Sequence, residues 1–390
     1  KMQFNTFVSS INDLERCVNA PNLKEVLLQP TLLARQGQLS KQQTRSLVST
    51  AIKYGLHPVL VWDILMPEQT MKNICQQLSL WELSKFPTVR VCDPGAAWWL
   101  KTHHPNITLQ LTVETGNHNL EALRGWCEIF SDSLERLILS IELPEKKLIE
   151  YCQKLPVACE ILGVGQILLF YSPRSLLSPH LLDSDSEKKL PLQTTVSSED
   201  SNNRRFSTLE TAHGTFMFSD KDQFILDKLE GLEQSGLHTV CLDLRHFGQN
   251  GDVAVDIDKI CTHILTDPVS LRKNWGKPTQ STFFKGNRTT SMFSRMKSKH
   301  KLVKYRQDVG LAEIVAGESG NYVVFQSLRP FAITQIEKII IPTGEEIEIP
   351  AEIVFRNLNG EIVESFDREQ ILITDWIKKA MPGSLLLGKN

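Results

Sequence analysis

The chain has 390 residues, of which 41% are hydrophobic and 23% are charged, and its formal net charge at pH 7 is −2. This length exceeds what one compact core usually accommodates, so we predict two domains of an ordinary globular protein. The small net charge excludes bulk attraction to nucleic acid or membranes, and no run of about 18 apolar residues suggests a membrane span.

A strand–helix alternation occupies the first two thirds of the chain. The predicted strands are Gln3–Val8, Lys24–Gln29, Pro58–Leu65, Thr88–Cys92, Ile107–Val113, Leu134–Ser140, Val157–Val164 and Thr239–Leu244. The predicted helices are Ser10–Ala20, Ser40–Lys53, Pro67–Leu83, Ala96–His103, Asn119–Phe130, Pro144–Lys154 and Asp222–Gln234. Eight such units predict an α/β fold with a TIM-like (β/α)8 barrel in residues 1–265. A doubly wound open sheet is the alternative.

Three further segments depart from this alternation. Residues 184–203 are polar and rich in turn formers, which predicts a mobile insertion in the barrel. Residues 266–307 form a basic connecting segment, since 268–307 contain eleven Lys and Arg and no acidic residue. Short apolar runs separated by Gly and Pro then predict a small all-β barrel in residues 308–390.

A parallel barrel carries its chemistry at the carboxyl ends of its strands, so polar residues there are candidates. Glu114, Glu142 and Asp243 could act as general acid and base in hydrolysis. Residues of this kind are also common helix caps and loop starts, which is the alternative for each of them.

Four cationic or polar side chains are candidates for ligand binding. They are Arg35, Arg174, His213 and Arg245. Asp243 and Arg245 point the same way on one predicted strand, so they either bind an anion or hold each other. Gly214 next to His213 permits close backbone approach.

The basic segment combines cations with aromatic residues, a pattern that suits a phosphate backbone and stacked bases. Its predicted nucleic-acid-binding residues are Arg288, Arg295, Lys297, Lys299, Lys301 and Lys304. The alternative is a solvated linker whose charges maintain solubility.

The eight cysteines contain no C-x-x-C pair, and several lie within apolar runs. This usage is typical of reduced, buried thiols in a cytoplasmic protein, and it predicts no metal site. The first ten residues also lack the apolar core of a signal peptide.

Several motifs together resemble peptidase family U32. Tyr171–Ser178, YSPRSLLS, is similar to the family signature YSGRCLLS, and His213–Thr215 followed by Ser219–Asp222 is similar to its HGTY…NSKDL block. Cys92–Gly95 and Leu137–Leu143 also match in order, and Phe283–Gly286 resembles the extension of the branch that modifies tRNA. The resemblance implies a TIM-like barrel and either peptidase activity or RNA hydroxylation supported by an iron–sulfur cluster on four cysteines.

The positions that carry the cluster in the family are occupied differently here. Leu168 and Ser175 stand at the two signature cysteines, and Phe224 stands at the cysteine of the NSKDLC block. The resemblance therefore implies that no iron–sulfur cluster is bound, because a cluster needs thiolate ligands.

Three hypotheses follow. The first is a U32-like pseudoenzyme that binds tRNA or another RNA as a scaffolding subunit beside an active paralogue. The second is a peptide hydrolase that uses the three carboxylates. The third is a barrel that binds a small anion through Arg174 and Arg245.

Overall fold

The computed structural model describes residues 1–113, 117–183, 187, 189–198, 201–247, 256–281, 283–285 and 305–389. The chain divides into two compact units, Lys1–Asn287 and Arg288–Asn390.

Strands and helices alternate through the described part of the first unit. The strands are β1 (Gln3–Phe7), β2 (Leu23–Leu28), β3 (His57–Trp62), β4 (Thr88–Val91), β5 (Thr108–Thr112), β6 (Leu134–Ile138), β7 (Ala158–Gly165), β8 (Leu168–Ser172), β9 (Leu192–Ser198), β10 (Ser201–Thr211), β11 (Gly214–Phe218), β12 (Asp222–Phe224), β13 (Thr239–Leu242) and β14 (Thr279–Gln280). The helices are α1 (Ile11–Val18), α2 (Lys41–Lys53), α3 (Glu68–Leu78), α4 (Pro94–His103), α5 (Leu120–Phe130), α6 (Glu145–Lys154), α7 (Ser178–Leu181), α8 (Glu230–Gln234), α9 (Ile257–Thr266) and α10 (Pro268–Lys273).

A closed parallel barrel is the frame of this unit. Strands β1 to β7 pair in chain order, and β13 pairs in parallel with both β7 and β1. This closure confirms the predicted (β/α)8 barrel and excludes the open doubly wound sheet. Apolar side chains at most strand and helix positions form one continuous core between the barrel and its helices.

Polar residues at the ends of the preceding loops cap several of the helices. Ser10, Ser40, Asp93 and Asn119 each accept a hydrogen bond from a backbone amide of the first helical turn. These caps satisfy amide groups that have no partner inside the helix. They therefore fix where each helix starts relative to the strand before it.

An antiparallel sheet follows β7, and the sequence did not predict it. Its strand order is β8-β11-β10-β9. The prediction of a mobile insertion over residues 184–203 is wrong for residues 192–198, which form β9 and pair with β10. The segment alternates exposed and half-buried side chains along Leu192–Ser197, and its Thr and Val residues favour a strand despite its polarity.

The predicted helix Asp222–Gln234 is also shorter than expected. Asp222–Phe224 is strand β12, which pairs antiparallel with β7 and parallel with β14, and the α-helix begins at Glu230. Phe224 is fully buried. Pairing with β7 buries this ring and satisfies the backbone, which local helix propensity does not achieve.

The second unit is built from antiparallel strands, which confirms its predicted all-β class. In its described part the strands are β15 (Gly310–Glu318), β16 (Tyr322–Ser327), β17 (Phe331–Ala332), β18 (Ile336–Ile340), β19 (Glu346–Glu348), β20 (Phe355–Arg356), β21 (Ile362–Val363), β22 (Ser365–Phe366), β23 (Ile371–Asp375) and β24 (Leu385–Gly388). Phe325, Phe355 and Phe366 are central to its own apolar core. Across the described residues of both units, no helix combines the length and apolar character needed to cross a membrane.

Candidate ligand site at the barrel mouth

Asp243 and Arg245 lie directly after β13, at the carboxyl end of the barrel. Arg245 donates from Nε and Nη2 to the two carboxylate oxygens of Asp243, over 2.9 and 2.8 Å, and its guanidinium lies 3.7 Å from the ring centroid of Phe7. Burial raises the pKa of Asp243, but the Arg245 guanidinium more than offsets this and leaves that pKa below its usual value. The two residues hold each other in a bidentate ion pair.

Gly165 permits this arrangement. It ends β7 with φ +155°, and a Cβ atom there would lie 2.7 Å from Cβ of Asp243. Only glycine adopts this backbone conformation without strain and leaves room for the neighbouring strand. Gly165 therefore allows close packing of β7 beside the ion pair.

Arg35 also lies at the mouth, in the loop after β2, which is two strands from β13 in the barrel. Its amide donates to Oδ1 of Asp63 over 2.8 Å, its Nε donates to the Asp63 carbonyl over 2.6 Å, and its guanidinium lies 4.8 Å from the ring centroid of Tyr171. Burial raises the pKa of Tyr171, so its hydroxyl stays protonated and can donate.

His213 fastens the antiparallel sheet to the same loop. Its Nε2 lies 2.5 Å from the carbonyl oxygen of Thr31, and its own carbonyl accepts from the Tyr171 hydroxyl over 3.1 Å. Thr211 adds a hydrogen bond from its hydroxyl to the Arg35 carbonyl, 2.9 Å long. The structure thus brings Arg35 and His213 together, and His213 helps to hold the loop that carries Arg35.

The floor of the mouth is apolar. Its residues come from the inward faces of the strands and from the loop after β2. They are Phe7, Leu27, Ala34, Val59, Val61, Leu162 and Cys241. Burial raises the pKa of the Cys241 thiol well above its usual value, so this cysteine is neutral and poorly nucleophilic.

The signature turn is held by Thr215, from the predicted His213–Thr215 block, and by Glu210, which the sequence analysis did not identify. The Thr215 hydroxyl donates to the Arg174 carbonyl over 2.8 Å, and the fully buried Glu210 accepts from the amide of Leu177 over 2.9 Å and from the hydroxyl of Ser178. The Arg174 side chain is exposed, and its guanidinium makes no hydrogen bond or ion pair with the described residues.

The other predicted acidic residues do not join this group. Glu142 lies after β6, where its Oε2 is 3.4 Å from Nε2 of His118. Glu114 lies outside the described residues, as do the six predicted nucleic-acid-binding residues between 288 and 304.

A second buried cluster was missed by the sequence reasoning. His246 Nε2 lies 2.7 Å from Oδ2 of Asp222, which also accepts from Nε1 of Trp275 over 3.0 Å. His246 Nδ1 has no hydrogen-bond partner among the described atoms. Two features of the sequence pointed to this cluster, namely Asp222 at the end of the block Ser219–Asp222 and His246 directly after the Asp243–Arg245 pair.

A charged layer fills the interior of the barrel below the mouth. Glu25 and Glu160 each accept from Arg136 Nη1, over 2.7 and 2.9 Å, and Arg90 Nη2 donates to Glu160 over 2.7 Å. Asn5 and Gln110 complete the layer with further hydrogen bonds to these carboxylates. In the sequence, this layer is indicated only by single charged residues in the middle of otherwise apolar strands.

This layer is tightly coupled electrostatically. Burial alone would raise the pKa of Glu25, but Arg136 and Arg90 leave it below its usual value. Burial would likewise lower the pKa of Arg136, but Glu25 and Glu160 raise it. Glu25 and Arg136 therefore stay charged at neutral pH.

Comparison with known proteins agrees with this architecture. The sequence profile described as Peptidase family U32 matches residues 31–250, more than half of the chain. The chain belongs to peptidase family U32. This confirms the family that the signature turn and the HGT block predicted.

Two characterised relatives of this U32 protein are named for tRNA hydroxylation. The tRNA hydroxylation protein P2 of Bacillus subtilis is 22% identical over 213 residues, which cover 53% of this chain and 67% of that protein. The tRNA hydroxylation protein P of Haemophilus influenzae is 32% identical over 156 residues, which cover 40% of this chain and 33% of that protein. This chain thus spans between a third and two thirds of the length of these relatives.

Among solved structures, the U32 peptidase Mk0906 is similar to this chain. It is 13% identical with a TM-score of 0.34, over 43% of this chain and 70% of that one.

The residues of this U32 chain do not fit an iron–sulfur cluster at the signature turn. Leu168 lies on β8, Ser175 is exposed in the turn, and Phe224 packs edge-on against Trp275 with ring centroids 5.4 Å apart. All eight cysteines lie in the described residues, yet no three thiols converge within ligand distance there. Leu and Phe offer no ligand atom, and Ser is a poor replacement for a thiolate.

Proposed function

We propose that this protein acts in tRNA modification as an RNA-binding or scaffolding subunit that holds no iron–sulfur cluster and works beside an active paralogous subunit. The names of the two relatives support a role in tRNA modification, since both are tRNA hydroxylation proteins. The basic segment supports the RNA partner, because it concentrates cations in a chain whose net charge is −2.

One observation supports the loss of cluster chemistry most strongly. Phe224, which the resemblance places at a cluster cysteine of the family, is fully buried, and its ring packs on Trp275 while the Arg272 guanidinium lies 5.5 Å from its centroid. A buried aromatic residue at this position contributes to the packing of the core and offers no atom that could bind iron. Asp243 and Arg245 are similarly engaged with each other.

Binding of a small anion is a second candidate, because the Arg174 guanidinium is exposed beside the mouth without a partner among the described residues. Peptide hydrolysis, in contrast, would require Asp243 to exchange protons. Its bidentate ion pair with Arg245 stabilises the ionised form, so Asp243 is poorly suited to act as a general acid.

Deleting the gene in the native cell tests the proposal. We expect hydroxylated nucleosides in total tRNA, measured by mass spectrometry, to decrease, and a plasmid copy to restore them. A plasmid copy carrying Asp243→Asn should also restore them, since the proposal assigns no catalysis to this carboxylate. Unchanged tRNA nucleosides in the deletion strain would contradict a role in tRNA modification.

A further inference from the structure

Three potential metal ligands converge at the end of the barrel opposite to the mouth. Glu25 is on β2, His57 opens β3 and Glu135 is on β6, and one ligand atom of each lies within 4.8 Å of the others. Among the described residues, no other group of three or more His, Cys, Asp or Glu side chains meets this distance. Glu25 and His57 are register partners, so they lie side by side on neighbouring strands.

A β-bulge brings Glu135 into this group. Leu109 of β5 pairs with Leu134, but Gln110 pairs with Arg136, so Glu135 is an extra residue in β6. A bulge changes the alternation of side chains across the sheet. The carboxylate of Glu135 therefore reaches Gln110, whose Nε2 donates to it over 2.7 Å and to Glu25 over 3.0 Å.

Among the residues that the structure describes, one carboxylate of this region forms no ion pair with Lys or Arg. The guanidinium groups of Arg90 and Arg136 contact Glu25 and Glu160. Within the described residues, the only hydrogen bond to the half-buried Glu135 side chain comes from the neutral amide of Gln110. A cation at this position would compensate a carboxylate that the barrel interior leaves unmatched.

The same layer holds a buried oxygen that lacks a donor. Asn5 is fully buried and donates from Nδ2 to Glu25 and Glu160, but its Oδ1 has no hydrogen-bond partner among the described atoms. Buried acceptors without a partner are rare and call for an unseen water or ion.

The ring of His57 is both oriented and accessible. One of its nitrogens, Nε2, lies 2.7 Å from the hydroxyl of Thr88, and the side chain is exposed at the amino end of β3. Hydrogen bonds of this kind orient histidines that bind metals, and the exposure gives an ion a path of entry.

We propose that Glu25, His57 and Glu135 form a binding site for a divalent transition-metal ion, represented by Zn²⁺, at the amino end of the barrel. The imidazole nitrogen favours Zn²⁺ over Mg²⁺ and Ca²⁺, which prefer oxygen ligands alone. The ion would join β2, β3 and β6, which are strands from different sides of the barrel. Its position at this end indicates a stabilising role, since barrel chemistry occurs at the other end.

Titration of the untagged full-length chain with ZnCl₂ after EDTA treatment tests the site. We expect one Zn²⁺ per chain by calorimetry, an increase in thermal midpoint, and no competition from excess MgCl₂. His57→Ala and Glu135→Gln should each weaken Zn²⁺ binding by at least about tenfold. The double variant His180→Ala with Glu121→Gln removes an exposed histidine and an exposed glutamate elsewhere and should bind like the wild type.

Circular dichroism of the metal-free variants separates loss of binding from loss of folding, and Glu135→Gln keeps the shape of its side chain. Absence of Zn²⁺ binding by the folded wild-type chain would overturn the proposal. Equal Zn²⁺ affinity of wild type, His57→Ala and Glu135→Gln would overturn it as well. Neither result depends on the role in tRNA modification.

Discussion

Arg245 chelates the carboxylate of Asp243 through two hydrogen bonds at the mouth of the barrel. The pair lies where a (β/α)8 barrel normally presents its reactive groups. Both of these candidate site residues are engaged with each other. Its stability is therefore the first property to test.

Replacing Asp243 by Asn leaves the Arg245 guanidinium without its counter-ion in a largely buried place. We expect a loss of about 2 kcal/mol in the free energy of unfolding at pH 7, measured with urea. The exposed Asp132→Asn variant is the control and should lose less than about 0.5 kcal/mol. An Asp243→Asn protein as stable as the wild type would show that the pair contributes no net stability.

The same pair predicts a dependence of stability on pH. The pKa of Asp243 is lower in the folded protein than its usual value. The resulting stabilisation is fully present above the unfolded-state pKa of about 3.9 and is lost as the pH falls through the folded-state pKa. We therefore expect the free energy of unfolding, measured with urea between pH 3 and pH 7, to fall less on acidification for Asp243→Asn than for wild type. Asp132→Asn should show the same pH dependence as wild type.

The charged layer inside the barrel should be sensitive to the loss of one member. Glu160→Gln removes a carboxylate that faces both Arg90 and Arg136, so we expect a loss of about 3–5 kcal/mol in the free energy of unfolding. Glu128→Gln, on an exposed helix position, is the matched control. If the two variants unfold at the same urea concentration, Glu160 and its ion pairs make no net contribution to the free energy of unfolding.

Tyr171 connects the antiparallel sheet to the barrel mouth, and Tyr171→Phe removes this connection alone. The ring stays stacked on Phe216, with centroids 4.5 Å apart, while the hydrogen bonds of the hydroxyl to Leu65 and His213 are lost. We expect the free energy of unfolding to decrease by about 1 kcal/mol and amide hydrogen exchange in β8 and β11 to become faster. Tyr322→Phe, at a half-exposed ring of the second unit, should leave exchange in these strands unchanged.

The basic segment should account for RNA affinity. Replacing Lys297, Lys299, Lys301 and Lys304 by Gln removes four cations, so we expect weaker tRNA binding and a slope of log K against log salt that is shallower by about 3. A control with Lys24, Lys53, Lys72 and Lys378 replaced by Gln changes the net charge equally. Identical salt slopes for both quadruple variants would contradict binding through this segment.

The sequence predicted the barrel well because its signals are local. Apolar strands, capping residues such as Ser40 and Asp93, and a regular spacing are visible without any knowledge of distant contacts. Strand β9 was missed because its pairing with β10 is non-local and its composition is polar. The same limit applies to Glu135, whose inward position depends on a bulge between two strands.

The candidate site was predicted only in part. Arg35, His213, Asp243 and Arg245 were predicted as candidate site residues, and the structure places them around the mouth. The pairing of Asp243 with Arg245 was one of two predicted alternatives, whereas the partners of Arg35 and His213 were not predicted. Glu210 and His246 belong to no motif identified in the sequence, and the contacts of Asp222, at the end of the block Ser219–Asp222, come from burial and from residues distant in sequence. Sequence patterns therefore indicated where the mouth lies, while the structure defines how its polar groups are paired.

Measurement of iron and acid-labile sulfide in the untagged chain, purified without oxygen, is the decisive test of the claim that this protein holds no iron–sulfur cluster. We expect no sulfide and no visible absorbance from a cluster, because the family resemblance places Leu168, Ser175 and Phe224 at the positions of cluster cysteines. Mononuclear metal at the Glu25 site would add metal without sulfide, so the two cases are distinguishable. A brown protein that contains iron and sulfide in stoichiometric amounts would contradict the claim.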